Sequence, residues 1–364
     1  MVKQQYPRVE IKLNALRENV EAMVRSCGER GIGIAGVIKG ATGIPECALA
    51  YEKGGAVMIA SSRLEQLEDA RSAGVRLPLL LLRVPMLSEA EEVIRLTDLS
   101  LNSDPSVLEA LNRQAQIQGK EHKVILMADL GDLREGFWDK EEMIRVAEWV
   151  ENSCSHLLLG GVGTNLGCYG SVDATADKLA ELVEIAERIE ERLGRTLEYI
   201  SGGATTSLPR IFDGDMPQRI NLLRVGEGIL LAKDLERFFG YDMSFMHQDV
   251  FTLKAEIIEL RDKPSHPVGR LSVDAFGQTP VYRDRGIRKR ALLAVGKVDY
   301  GSWKEITPLA QGVEIIGASS DHTILDVEDS KREWKVGDIL SFSLTYASLV
   351  YVTNCRNVQI VFVD

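Results

Sequence analysis

Up to about residue 235 the chain alternates short apolar runs with longer stretches of helical periodicity. That alternation constrains the fold most, because repeated strand and helix units bury their strands in a parallel sheet. Eight runs read as strands, at 33–39, 56–61, 77–82, 99–102, 123–130, 157–164, 198–203 and 222–230. Between them the clearest helix covers 173–193, where Leu179, Leu182, Val183, Ala186, Ile189 and Leu193 form one apolar stripe and Gly194 supplies a stop. Another helix starts near Asn14, a favourable N-cap, with Leu16, Val20, Met23, Val24 and Cys27 on one face. Eight strands with intervening helices over about 220 residues predict an α/β fold, a (β/α)8 TIM barrel over 13–237 whose chemistry lies at the C-terminal ends of the strands.

The texture changes after residue 238. Runs at 250–260, 291–295, 313–316, 323–327, 339–346 and 358–363 are rich in strand formers, with turn signals DRG at 284–286 and VGD at 336–338. Residues 238–364 therefore read as a C-terminal all-β domain. Residues 6–13 also alternate as a strand, so the N-terminal segment 1–12 is expected to join that domain.

Charge and composition exclude several partners. The chain carries 54 acidic against 43 basic residues, a net charge of −11, which opposes attraction to nucleic acid or an anionic membrane. The longest apolar run ends at Arg83, far short of the roughly 20 residues that a bilayer span needs. The opening MVKQQYPRVE lacks the apolar core of a secretion signal, and the five Cys are scattered without CxxC spacing. A reduced, cytoplasmic protein is expected. The five His show no metal-ligand spacing, and no metal is expected.

Lys39 ends the apolar run GIGIAGVIKG, which places it at the rim of the first barrel strand. There it is either a solvated lysine opening a loop or a desolvated amine, whose lowered pKa would make it nucleophilic toward a carbonyl cofactor. Later strands run into DLGDLREG (129–136, carrying Arg134), GVGTNLGCYG (161–170), SGGATTSLP (201–209) and LLRVGEGI (222–229). Gly-rich loops with Ser or Thr at the seventh and eighth barrel strands suit a phosphate, because backbone N–H groups approach the anion closely. Any one of these loops is equally a tight turn; together they imply a phosphate-bearing cofactor.

The phrases KGATG, DLGDLREG, GTNLGCYG, SGGATTSLP and GIRKRALLAVG resemble the alanine racemase family of pyridoxal 5′-phosphate (PLP) enzymes over nearly the whole chain. Within that family they are most similar to racemases of ornithine and other basic amino acids. The resemblance implies that Lys39 carries PLP as an imine and is one of two acid/base groups. It implies that Arg134 reaches the cofactor's phenolic oxygen, and that Asn165 stands where the family has a histidine beside the ring. Thr205, with Thr206, takes the place of a phosphate-binding serine. Arg224, Gly226 and Glu227 match the family phrase RPGI, the arginine facing the pyridine nitrogen and the next two giving backbone N–H groups to phosphate. Tyr346 matches a late phosphate-binding tyrosine. Where the family reads KANAYG this chain reads KGATG, so one phosphate hydroxyl is missing and Thr42 is its candidate replacement.

Arg224 discriminates between mechanisms. A guanidinium only donates and keeps its charge, so it leaves the pyridine nitrogen unprotonated and weakens the ring as an electron sink. That suits a racemase. The barrel decarboxylases that resemble this architecture place Glu there, in an EPGR phrase this chain lacks. Racemisation needs a proton-transfer group on each face of the substrate. Alanine racemases supply the second as a tyrosine of the other subunit, in VGYADG; here VGKVDY (295–300) puts Lys297 in that slot. Lys297 ranks ahead of Tyr300, Asp321 and His322, the last two in SSDHT (319–323), which resembles a family segment reaching the partner's site. Cys168 and Tyr169 are candidates to line the substrate pocket, with a packed thiol as the default state of Cys168. The expectation is a homodimeric, PLP-dependent racemase of ornithine or another basic amino acid. Its alternatives are an alanine or serine racemase, a decarboxylase of the same fold, and a non-enzymatic PLP-binding protein.

Overall fold

The computed structural model describes residues 5–274 and 276–364, so residues 1–4 of the expected N-terminal segment lie outside the described residues. The chain divides into two units, residues 13–247 and residues 5–12 with 248–364. In the first unit eight parallel strands close into a barrel. They are Gly33–Val37, Met58–Ser61, Leu79–Leu81, Leu99–Asn102, His122–Ala128, Leu157–Thr164, Tyr199–Ser201 and Leu222–Val225, first to eighth. Closure comes from the first strand lying parallel to the eighth, with Gly33 opposite Leu222 and Gly36 opposite Val225. The barrel predicted from the alternation is the observed fold. Ala35, Val37, Met58, Ala60, Leu80, Leu99, Leu101, Ile125, Met127 and Leu222 make its core, and each larger buried side chain contributes about 1.5–3 kcal/mol.

Several strands stop earlier than their apolar runs. The first ends at Val37, so Lys39 opens a short 3-10 turn, Lys39–Ala41. The eighth ends at Val225, and Glu227–Leu230 form a single helical turn where a longer strand was expected. Short apolar runs do not separate strand from buried helix. Strand Arg8–Lys12 passes directly into helix Leu13–Gly28, which makes Asn14 the second residue of that helix and not its cap. Helix Ala176–Leu193 starts later than 173 because Thr175 caps it, its hydroxyl accepting from the Lys178 N–H at 3.3 Å. The division between units falls at 247/248 and not at 237/238. The side chain of Asn19, in helix Leu13–Gly28, accepts from the His247 N–H (2.7 Å) and donates to the His247 carbonyl (2.8 Å), tying that segment to the barrel helices.

The second unit is built on Phe251–Pro264. Its first part pairs antiparallel with Arg8–Lys12 and with Ile339–Leu344, and beyond Ile257 it pairs with Ile287–Leu293. Arg8–Lys12 also lies parallel to Gln359–Val363. Thr323–Asp326 and Glu314–Ala318 extend one side of the sheet, and the three-residue strand Ile306–Pro308, absent from the sequence reading, closes the other. Its proline is tolerated at a sheet edge, where one side of the backbone needs no partner. Tyr346, expected at the end of a strand, instead opens helix Tyr346–Val352, with the Thr345 side chain as cap. Among the described residues no helix is long and apolar enough to cross a membrane.

Candidate functional site

The C-terminal ends of the barrel strands bring several of the expected residues into one electrostatic neighbourhood. Lys39 is half-buried. Burial holds its ammonium below the usual lysine range; Cys168 and Glu135 act against the shift, and the cations Arg134 and Arg224 add to it. Arg224 senses the same groups, Glu135, Cys168 and Arg134. Three cations and one carboxylate thus share this end of the barrel.

Arg224 is 4% exposed. Its Nη1 donates to Ser201 Oγ at 2.5 Å and its Nη2 to the Thr164 carbonyl at 2.7 Å, at the ends of the seventh and sixth strands. Burial lowers its pKa to about 10, which still leaves it charged at neutral pH. Among the described residues it has no carboxylate partner, and only two of its five N–H donors are used. Leaving a charge buried and unpaired is costly, so its retention here marks a site for an acceptor.

Arg134 rides on a braced loop. Asp129 Oδ1 accepts from the N–H groups of Gly131 (2.9 Å) and Leu133 (3.1 Å). Asp132, 1% exposed, accepts from Gly167, Tyr169 and Gly170 at 2.9–3.1 Å, binding this loop to the one that follows the sixth strand. Burial pushes the Asp132 carboxyl up, but the N–H groups of Tyr169, Gly167 and their neighbours outweigh it and hold it below the usual range. Gly136 sits at φ +126°, and an added Cβ would lie 2.4 Å from the Asp129 nitrogen, so the loop's exit is fixed. The Arg134 guanidinium pairs with Glu135 through Nε and Nη2 and is held further into its charged state. The brace by Asp132 was missed in the sequence, since nothing local ties residue 132 to residues 167–170.

Asn165 is half-buried, and its Nδ2 is a buried donor with no partner among the described residues. Thr205 opens the turn Thr205–Ser207, and its Oγ1 accepts from the Gly228 N–H at 3.1 Å, linking the ends of the seventh and eighth strands. Thr206 spends its hydroxyl proton on the Leu166 carbonyl (2.8 Å), so it braces the neighbouring loop and Thr205 is the hydroxyl left to donate. A Cβ on Gly228 would come 3.0 Å from Leu208 and 3.1 Å from Thr205, and one on Gly226 would come 3.3 Å from Val37. Thr42 adopts a left-handed backbone (φ 46°) directly after the Lys39 turn. Cys168 is exposed, which corrects the packed thiol expected, because loop 165–170 hangs from Asp132 by its backbone and leaves the thiol outside. Tyr169 is exposed as well.

Glu227 was expected to act through its backbone, but its side chain is 7% exposed. Oε1 accepts from Lys233 and Asp234 N–H groups at 3.1 Å, while Oε2 has no partner among the described residues. Burial raises its pKa from 4.5 to about 7, with Asp234 adding to the shift. The folded chain therefore binds this proton more tightly than the unfolded chain, and the stability it contributes is lost as pH rises through about 7. Glu227→Gln keeps the acceptor and removes the titration. It is expected to match the wild type in thermal melting near about pH 4.5 and to exceed it by roughly 2 kcal/mol near about pH 8. Equal curves at both pH values would show that the carboxyl does not titrate in this range.

In the second unit, Lys297 opens the helical turn Lys297–Tyr300, its N–H donating to the Ser319 carbonyl at 3.0 Å. Its ammonium lies 3.9 Å from Asp274 Oδ2 and 3.7 Å from the centroid of the Phe276 ring. Tyr300, one candidate base, is fully buried with its hydroxyl 2.6 Å from Thr323 Oγ1, and burial raises its pKa to about 12. It is a core residue of this unit. Asp321 is exposed and His322 half-buried in the turn closed by the Ser319 N–H on the His322 carbonyl. Tyr346 is half-buried at the start of its helix.

A cavity of about 630 Å3 opens at the other end of the barrel, near the starts of the fifth to seventh strands. Its charges are already matched, Lys123 with Glu198 and Arg195 with Glu151, so it offers no free group for chemistry. Among the described residues no group of three His, Cys, Asp or Glu side chains is placed to hold a metal ion.

Comparison with known proteins gives a consistent picture. The family described as alanine racemase, N-terminal domain, matches residues 11–234. An ornithine racemase from Acetoanaerobium sticklandii is 39% identical over 348 residues, covering 95% of this chain and 96% of that protein. A lysine racemase from Thermotoga maritima is 38% identical over 345 residues, covering 95% of each. Among solved structures, alanine racemase from a D-cycloserine-producing Streptomyces lavendulae superposes with a TM-score of 0.76 at 18% identity, covering 99% of this chain and 98% of that one. At that identity the likeness shows the fold alone.

Proposed function

The chain belongs to the alanine racemase family, and on that footing we propose that it interconverts the L and D forms of a basic amino acid, ornithine or lysine, using PLP at the C-terminal rim of the barrel. One observation carries the chemistry: an amine with a depressed pKa, Lys39, shares its surroundings with a buried, carboxylate-free guanidinium, Arg224. The identity to an ornithine and a lysine racemase over 95% of the chain supports the substrate class.

The residues present fit the cofactor. The unpartnered Nδ2 of Asn165 and the unused N–H groups of Arg224 are donors awaiting acceptors. The Gly228 N–H fixes Thr205 Oγ1, leaving the Thr205 hydroxyl proton to be donated to an anion beside the closely packed Gly226. PLP would be held by Lys39, Arg134, Asn165, Thr205, Arg224 and the backbone at Gly226 and Glu227. When bound, PLP draws electrons from the bond between the amino acid's α carbon and its hydrogen.

The chain's own groups do the rest. Burial and two neighbouring cations raise the share of uncharged Lys39 amine at neutral pH, so it can take the α proton or return it on one face. Arg224 offers only N–H donors to the ring nitrogen and has no proton to lend it, which favours returning the α proton over other outcomes. Lys297 of a second copy of the chain serves the opposite face in a homodimer with shared sites; Asp274 and Phe276 hold its ammonium in each copy.

Incubating the purified protein with single L-amino acids and separating products on a chiral column tests this. D-ornithine or D-lysine is the expected product; an amine with carbon dioxide would mark a decarboxylase, and no product a binding protein. Lys297→Ala is expected to lower turnover at least about 100-fold. A fully active variant would remove Lys297 from the mechanism.

A further inference from the structure

A basic substrate brings an extra positive charge into a rim that already holds Lys39, Arg134 and Arg224. Like charges in a partly desolvated site repel strongly, so a second ammonium needs a carboxylate to face. The sequence offered no assignment for that carboxylate. In the structure two groups that can carry negative charge act on both Lys39 and Arg224, the Cys168 thiol and Glu135, and Glu135 is the carboxylate of the two.

Its placement is suited to a fixed recognition role. Glu135 lies between Arg134 and Gly136, at the tip of the loop that Asp129 and Asp132 brace from within. The Gly136 backbone, which leaves no room for a Cβ, holds the next residue against the fifth strand, where the Phe137 N–H donates to the Met127 carbonyl at 2.7 Å. The side chain is 20% exposed, enough for a ligand to reach and little enough for the charge to be felt. Arg134 occupies one edge of the carboxylate, one N–H on each oxygen. A carboxylate offers about four lone-pair directions, so its outer edge remains able to accept an ammonium.

We propose that Glu135 is the residue that recognises the distal ammonium of the substrate, and so sets the preference for basic over uncharged amino acids. This rests on the reading of the chain as a basic amino-acid racemase. Besides holding the cofactor, Arg134 then orients Glu135, and by neutralising part of its charge it keeps the bound ammonium exchangeable. Lysine and ornithine both satisfy the requirement, since a rim carboxylate tolerates a change of one methylene more readily than the loss of a charge.

Norvaline and norleucine have the carbon chains of ornithine and lysine without the terminal amine, so they isolate the distal charge. For the wild type, kcat/KM is expected to favour ornithine over norvaline, and the preference should shrink as salt rises from about 50 mM to about 500 mM, because the pairing is part-exposed. In Glu135→Gln the ornithine-to-norvaline ratio is expected to fall about 30-fold, chiefly through KM for ornithine, as for a pair of intermediate burial. Glu135→Asp, which keeps the charge, should retain most of the ratio. If Glu135 only positions Arg134, both substrates fall together in Glu135→Gln and the ratio stays at its wild-type value; that result overturns the assignment and leaves the racemase reading intact. A wild type that does not distinguish ornithine from norvaline, or lysine from norleucine, overturns the basic-substrate reading and this inference with it.

Discussion

Lys39→Ala is expected to lose racemase activity by at least about 10³-fold, because Lys39, in the role proposed for it of carrying the cofactor and moving the α proton, has no neighbour able to replace it. The other nitrogen bases around it are Arg134 and Arg224, and guanidinium groups do not give up a proton near neutral pH. The wild type is expected to show a borohydride-sensitive absorbance at about 420 nm, and the variant should lack it. Its fold should survive: burial depresses the Lys39 pKa, so below that pKa the lysine is a cost to the folded state, and removing it relieves like-charge repulsion from two arginines. A melting temperature within about 3 °C of the wild type is the expected control. Retention of both activity and the borohydride-sensitive band would show that another amine holds the cofactor.

Arg224→Glu should have the largest effect on stability. The guanidinium donates to Ser201 Oγ and to the Thr164 carbonyl. A carboxylate in the same place would be buried against the Thr164 carbonyl with no proton to offer it, and could accept only from the Ser201 hydroxyl. The expected loss is about 3–5 kcal/mol, readable as a drop of about 10 °C in the melting temperature. Arg224→Gln separates structure from chemistry. It can still donate to one of the two oxygens but carries no charge, so Lys39 loses a neighbour that lowers its pKa. The acid limb of the pH–rate profile should therefore move to higher pH in Arg224→Gln. An unmoved limb would mean that Arg224 does not tune Lys39.

The barrel was legible because its strands, buried on both faces, are written as near-continuous apolar runs. Runs such as 222–230 overshoot for the same reason: the residues of helix Glu227–Leu230 are as buried as the strand before them, and hydrophobicity does not record backbone conformation. Ile306–Pro308 escaped notice since a three-residue edge strand has too few residues to show a period and contains a proline. Within the site, Lys39 could be found because it closely follows the end of the first strand, where barrel chemistry lies, whereas Arg134 and Arg224 took their roles from the resemblance of their phrases to those of the family. Asp132 could not, because its partners lie on a loop about 35 residues away in sequence, and the burial of the Glu227 side chain is a property of the packed fold that no local pattern records. Tyr300, ranked behind Lys297 as a base, has its hydroxyl bonded within the core, a partner that its place beside a motif does not announce.

The pairing of Arg8–Lys12 with both Phe251–Pro264 and Gln359–Val363 makes the barrel unit an insertion between the first strand of a sheet and all of its neighbours. As the chain leaves the ribosome, that first strand waits while the whole barrel is made, and one of its edges stays open until the last strand emerges. The barrel can collapse on its own schedule during synthesis, whereas the sheet is completed only once Gln359–Val363 has been made.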